Sequence, residues 1–214
     1  MRRILLIFVK FPSPGLVKTR LAKDLGRDQA AEAYKLMVSR VFSRLRGAPL
    51  EAIRIVFDPP DSADKTQIWL QADTSPLEKE GIAVEFSPQA AGDLGIRLES
   101  AFKQAFSDGF QAVTAIGTDC IDLTADHIAQ TWQSLDDQDG AVFGPTEDGG
   151  YYLIGLSAHY PQVFQEIPWS THKTLARSIE QAEGCGLKVT QLECLNDVDE
   201  IADWIRVKNG LSTS

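Results

Sequence analysis

The sequence predicts an α/β protein with a mostly parallel central sheet and helices on both faces. Three observations predict it. Short apolar runs alternate with stretches whose apolar residues recur at three- and four-residue steps, the periods of strands and helices in turn. The runs end in clusters of Gly, Pro and Asp, which mark loops. The chain has 214 residues, 43% apolar and 24% charged, the size and composition of a single folded domain over 1–214. Strands that alternate with helices belong in a doubly wound sheet, because a parallel connection needs a crossover.

The elements follow in order. RILLIFV is a buried strand, and the loop FPSPG follows it. Residues 28–46 set Ala30, Tyr34, Met37, Val41 and Leu45 on one helical stripe, which needs a sheet to cover. EAIRIVF is a second strand stopped by Pro59 and Pro60; ADKTQIWLQ reads as a helix, and IAVEF as a third strand ending near Pro88. Gly92 and Gly95 open a helix with Leu98, Phe102 and Phe106 on one side. QAVTAIG is a strand that runs into TDCIDL, and Thr124 to Leu135 is a helix with Thr124 at the N-cap. AVFGP and YYLIGL are strands on either side of TEDGG. Ser170 or Thr171 caps a helix through Ile179 and Ala182, LKVTQLECL is a last strand, and VDEIADWIRV a last helix. There is no internal repeat and no low-complexity linker.

Charge narrows the function. A formal net charge of −9 argues against non-specific nucleic-acid binding, which depends on cations displacing the counterions of a phosphate backbone. Seven of the 21 Lys and Arg residues nevertheless lie in the first 27 positions, opposed there only by Asp24. That is a local cationic site on an acidic body. ILLIFV is too short to span a bilayer, so no membrane partner is expected. Cys120, Cys185 and Cys194 are odd in number and lack CxxC spacing, which suits a cytoplasmic protein without a disulfide framework.

In doubly wound sheets ligands sit at the carboxyl ends of strands, so the loops there are the candidate sites. The first has the chemistry of a phosphate cradle: Pro12 and Pro14 stiffen it, Gly15 permits close approach, and Lys10, Lys18 and Arg20 surround one strand end near a helix start. It lacks the Gly-Lys-Ser/Thr of a P-loop; a solvated basic helix start is the plain alternative. In I-G-T-D-C-I-D-L, Asp119 and Asp122 offer hard oxygen ligands for Mg²⁺ or Mn²⁺, although either also suits turn or cap chemistry. In G-P-T-E-D-G-G, Glu147 or Asp148 can supply a carboxylate, and Gly149 and Gly150 can let the backbone pass close to a bound sugar; a routine Asp-Gly hairpin explains the motif equally well. Asp197 and Asp199 either cap the last helix or complete a metal site. His127, His159 and His172 show no zinc spacing, and Trp169 suits packing or stacking.

Taken together, Lys10-x-Pro12-x-Pro14-Gly15-x-x-Lys18-Thr19-Arg20-Leu21, Gly92-Asp93-Leu94-Gly95, Gly117-Thr118-Asp119-Cys120, Asp148-Gly149-Gly150-Tyr151, Trp169-Ser170-Thr171 and Asp197-Val198-Asp199 resemble a bacterial and archaeal family of GT-A-fold, glycosyltransferase-like proteins. More distantly they resemble the molybdenum-cofactor and phospholactate guanylyltransferases. The chain departs from the related pattern at Ile121, where proline is usual, and after Asp199, where Thr-Pro is common. The resemblance implies the GT-A nucleotide-diphospho-sugar transferase fold, with a nucleotide over the first strand and Mg²⁺ or Mn²⁺ bridging its phosphates. It implies metal binding by Asp119 and Asp199, and phosphate or nucleotide binding by Lys10, Pro12, Gly15, Lys18, Arg20, Gly92, Asp93 and Gly95. Glu147, Asp148, Gly149, Gly150 and Trp169 fall on the substrate side, and Lys18, Asp119 and Asp148 are the expected catalytic groups. The expected partners are a nucleotide sugar or a nucleoside triphosphate and a small acceptor. Metal-dependent glycosyl transfer leads; nucleotidyl transfer with pyrophosphate release and non-catalytic nucleotide binding stand as alternatives.

Overall fold

A computed structural model describes residues 2–136 and 139–211. Strand β1 (Arg3–Lys10) lies at the centre because both of its faces are apolar: Ile4, Leu5, Leu6 and Ile7 are fully buried. It pairs in parallel with β2 (Ala52–Asp58) on one side and β4 (Ala112–Ile116) on the other, and β3 (Ala83–Pro88) extends the sheet beyond β2. Beyond β4 lie β6 (Tyr151–Leu156), β5 (Gly140–Pro145) and β7 (Lys188–Gln191), giving the order β3-β2-β1-β4-β6-β5-β7. Among the described strands only β6 runs against its neighbours, pairing antiparallel with both β4 and β5, so the sheet is mostly parallel as the sequence predicts. The two edge strands, β3 and β7, are only partly buried.

The helices divide between the faces according to strand alternation. Leu5, Ile7, Val9, Ile53, Ile55 and Phe57 pack against α2 (Arg27–Arg44), α3 (Ala63–Lys79) and α5 (Ala125–Asp136). Ile4, Leu6, Val113 and Ala115 face the other way, onto α4 (Leu94–Ser107) and α6 (Thr174–Gly184). The C-terminal helix α7 (Ile201–Leu211) packs Trp204 and Val207 against Met37 and Ile121. Among the described residues no helix is long and apolar enough to cross a membrane.

Four local expectations change. A one-turn helix, α1 (Ala22–Leu25), precedes α2 and is broken from it at Gly26, whose φ of 84° leaves the helical region. Asp93, not a glycine, starts α4: its carboxylate accepts the Ile96 N–H at 2.9 Å, and Gly95 lies inside the first turn. Neither Ser170 nor Thr171 caps α6; Lys173 is the cap residue, and its N–H donates to Thr171 Oγ1. The last strand ends at Gln191, followed by a single bridge between Thr146 and Leu195, because the segment then turns toward the carboxyl end of β4.

The chain builds β1, β2 and β3 outward on one side and then crosses to β4 on the other. The boundary between β1 and β4 is therefore the topological switch point, where loops leave the two strands in opposite directions and a crevice opens.

Candidate active site

A cleft of about 720 Å³ occupies that crevice. The β1 loop supplies Lys10, Lys18 and Arg20 to it; the β4 loop supplies Gly117, Thr118 and Asp119; Gly92, Asp93 and Arg97 line it from the start of α4, and Asp197 and Asp199 from the segment before α7. Residues from opposite ends of the chain meet because the Val198 N–H donates to the Asp119 carbonyl at 3.0 Å, docking the late segment on the β4 loop.

Lys18 is at the centre of the charged half. Its Nζ donates to Val198 O at 2.7 Å and Asp199 Oδ1 at 3.0 Å, and stands 2.7 Å from Asp119 Oδ1. The side chain is 5% exposed, whereas Asp119 is 49% exposed and faces the cleft. Burial lowers the Lys18 pKa, but Asp119 and Asp199 together raise it by more, so the ammonium is held charged above its ordinary range. Lys18 also has a φ of 44°, uncommon for a residue with a side chain, and Ser170 across the cleft has a φ of 60°. Arg20 adds a 3.2 Å contact to Asp199 Oδ2 and is largely exposed.

The carboxylates crowd one another. Burial above all, then Asp119 and Asp199, push Asp197 up to about 7 against the opposing pull of Lys18, with Asp148 adding in the upward direction. Among the described residues no three His, Cys, Asp or Glu side chains converge to hold an ion alone. Asp119 and Asp199 can hold one only as a carboxylate pair with other oxygens completing the shell, which is how Mg²⁺ is usually bound beside substrate phosphates.

Tyr34, Gln89 and Arg97 line the cleft without belonging to any of the sequence motifs. Tyr34, read in the sequence as part of the α2 stripe, is buried with its hydroxyl 3.0 Å from the Lys10 N–H, which it accepts, and 3.1 Å from Thr118 Oγ1. It ties the ends of β1 and β4 together; burial, then Asp119, raise its pKa, so it stays protonated. Gln89 donates through Nε2 to Val9 O and Val56 O and accepts from Arg97 Nη1 at 2.9 Å, while Arg97 Nε donates to Gly92 O. This side-chain bridge fixes the ends of β1 and β2 against the start of α4. Cys120 is buried, and burial foremost pushes its thiol up to about 12, which rules it out as a nucleophile near neutral pH.

Lys10, Lys18, Arg20, Gly92, Asp93, Asp119 and Asp199 thus share one cleft. The other expected residues do not line it. Pro12 is buried in the β1 loop, and Gly15, at φ 82°, lies against the Arg27 side chain. Gly95 allows α4 to approach Trp169, whose indole also packs edge-on to Tyr151. Asp148 Oδ1 accepts from Thr146 Oγ1 at 2.6 Å and from the Gly150 N–H at 3.0 Å, and the Glu147 carboxylate accepts from the Asn196 amide at 2.8 Å. A Cβ at Gly149 would collide with the His172 carbonyl, so that glycine seats the segment before α6. Asp122 is exposed outside the cleft, and His127 is engaged by Thr124 at the start of α5.

Solved structures share this architecture. A protein from Desulfovibrio desulfuricans G20, provisionally assigned as a nucleotide-diphospho-sugar transferase, is 32% identical, with a TM-score of 0.83 over 100% of this chain and 89% of that one. CMP:2-keto-3-deoxy-manno-octonic acid synthetase, solved with CTP, is 12% identical with a TM-score of 0.60, covering 99% of both chains. Rv0371c of Mycobacterium tuberculosis H37Rv, solved with manganese, is 11% identical with a TM-score of 0.57, covering 100% of both. A search of curated proteins finds no match. The fold is the GT-A-like fold of nucleotide-diphospho-sugar transferases. The family model that matches residues 41–171 is that of the uncharacterized proteins conserved in bacteria called DUF2064, and the chain belongs to that family.

Proposed function

We propose that the protein is a metal-dependent transferase that moves a sugar from a nucleotide-diphospho-sugar to a small acceptor. The observation that carries the reading is the meeting of Lys18, Arg20, Asp119 and Asp199 at the switch point between β1 and β4. The assignment given to the Desulfovibrio protein, 32% identical along the whole chain, points the same way. In the transfer, an acceptor hydroxyl oxygen attacks the anomeric carbon and gives up its proton to the Asp148 carboxylate, the bond from that carbon to the diphosphate breaks, and the nucleoside diphosphate leaves with the electron pair. Lys18 and Arg20 stabilise the charge that develops on it, and Asp119 and Asp199 are the carboxylates that would hold Mg²⁺ or Mn²⁺. When bound, the metal supplies further neutralisation of that diphosphate. Gly92 and Asp93 contact the nucleotide from the start of α4. Asp148 remains the proposed carboxylate on the acceptor side, acting through the oxygen that the turn does not use. A cytoplasmic location belongs to the same proposal: Cys120, Cys185 and Cys194 are free thiols.

Nucleotidyl transfer is the second reading, favoured by four cationic side chains, Lys10, Lys18, Arg20 and Arg97, lining one cleft. There an acceptor phosphate oxygen attacks the α-phosphorus and pyrophosphate leaves. The two readings separate by product when the protein is incubated with Mg²⁺ or Mn²⁺ and panels of nucleotide sugars and nucleoside triphosphates. Nucleoside diphosphate release supports glycosyl transfer, and pyrophosphate release supports nucleotidyl transfer. Either activity is expected to fall by about 100-fold or more in Asp119→Ala, the scale of losing a group that stabilises transition-state charge. Full metal-dependent activity in that variant contradicts both.

A further inference from the structure

Lys18 has nothing left to offer a phosphate in the conformation observed. An ammonium has three N–H donors, and three oxygens lie within 3.0 Å of this one: Val198 O, Asp199 Oδ1 and Asp119 Oδ1. Two of the three belong to the only carboxylates proposed for the metal. We propose that the Lys18 ammonium and the divalent cation are alternative partners of Asp119 and Asp199, so that metal binds tightly only as an incoming diphosphate draws Lys18 away. This rests on the metal-dependent reading above, and it turns two binding events into one coupled event.

The physical case is a matter of what each group loses. Lys18 is almost fully buried, and a buried cation deprived of its carboxylates faces a large desolvation penalty. A dication arriving alone must either share both carboxylates with a positive charge or expel Lys18 without providing it a partner. A diphosphate oxygen gives Lys18 a new anionic partner and gives the metal additional oxygen ligands. Each ligand thereby removes the main obstacle to the other. Linkage then requires that diphosphate tighten metal binding by the same factor as metal tightens diphosphate binding.

Equilibrium dialysis with Mn²⁺ tests this, using inorganic pyrophosphate as the probe anion. Wild-type protein is expected to bind Mn²⁺ weakly alone and at least about tenfold more tightly with pyrophosphate. Lys18→Met is expected to bind Mn²⁺ alone at least about tenfold more tightly than wild type, and Lys18→Met combined with Asp119→Asn is expected to lose that gain. A label-based measurement on the wild type guards against a misfolded variant: saturating Mn²⁺ alone should speed reductive methylation of Lys18 and leave that of Lys79 unchanged. If wild type binds Mn²⁺ alone as tightly as with pyrophosphate, or Lys18→Met gains nothing, the exchange is overturned while the metal site stands. If no arm binds Mn²⁺, the metal-dependent reading itself fails, and the exchange with it.

Discussion

One hydroxyl, that of Tyr34, joins the carboxyl ends of the two strands that frame the cleft, accepting from Lys10 N–H and bonding Thr118 Oγ1. Tyr34→Phe keeps the ring packed against Trp69 but leaves the Lys10 N–H without its partner. The expected cost is about 1–3 kcal/mol, read as a lower denaturation midpoint with an unchanged slope. The sequence shows Tyr34 only as an apolar-stripe residue, because a hydrogen bond across 84 positions leaves no periodic trace. Lys18, Arg20 and Asp119 are legible, since charge at a strand end contradicts the apolar pattern around it. What those residues do to each other is not: the sequence suggests a cation ready for phosphate, whereas Lys18 is already held by two carboxylates.

At the level of elements, β1 with its loop and β4 with its loop are readable from apolar runs that stop at Pro12, Gly15 and Gly117. The DGG motif leaves two readings open in the sequence, and the antiparallel β5–β6 hairpin is the one the fold bears out. Gly149 is close to the His172 carbonyl of the segment before α6, and Gly150 to Thr146 and Asp148 within the turn itself. Gly95 behaves similarly, marking the approach of α4 to Trp169 and the Phe164 carbonyl, with an added Cβ only 2.7 and 2.8 Å from them. Gly95→Ala is therefore expected to destabilise the protein by about 1–3 kcal/mol through overpacking, measured by thermal or denaturant melting. An unchanged midpoint would mean that α4 and the Trp169 segment are not packed as described. The same substitution should shift the intrinsic fluorescence of Trp169, the side chain forced to move.

For the molecule as a whole, the order of strands decides where the chemistry sits. Crossing from β3 to β4 splits the loops at the β1–β4 boundary, and the late segment carrying Asp197 and Asp199 returns to that opening through the bond between Val198 N–H and Asp119 O. Alternation of strands and helices makes the parallel part of the sheet legible, and the antiparallel β6 is legible only through the Asp-Gly hairpin reading of TEDGG, because its apolar run by itself looks like that of its parallel neighbours. The central claim is that this one opening holds a diphosphate against Lys18 and Arg20 and a metal against Asp119 and Asp199. A crystal grown with a nucleoside diphosphate and Mn²⁺, and measured for the anomalous signal of manganese, tests it most directly. The account predicts an anomalous peak at coordinating distance from the Asp119 carboxylate, with the diphosphate bridging it to Lys18 and Arg20; a peak or a diphosphate bound away from that cleft would contradict it.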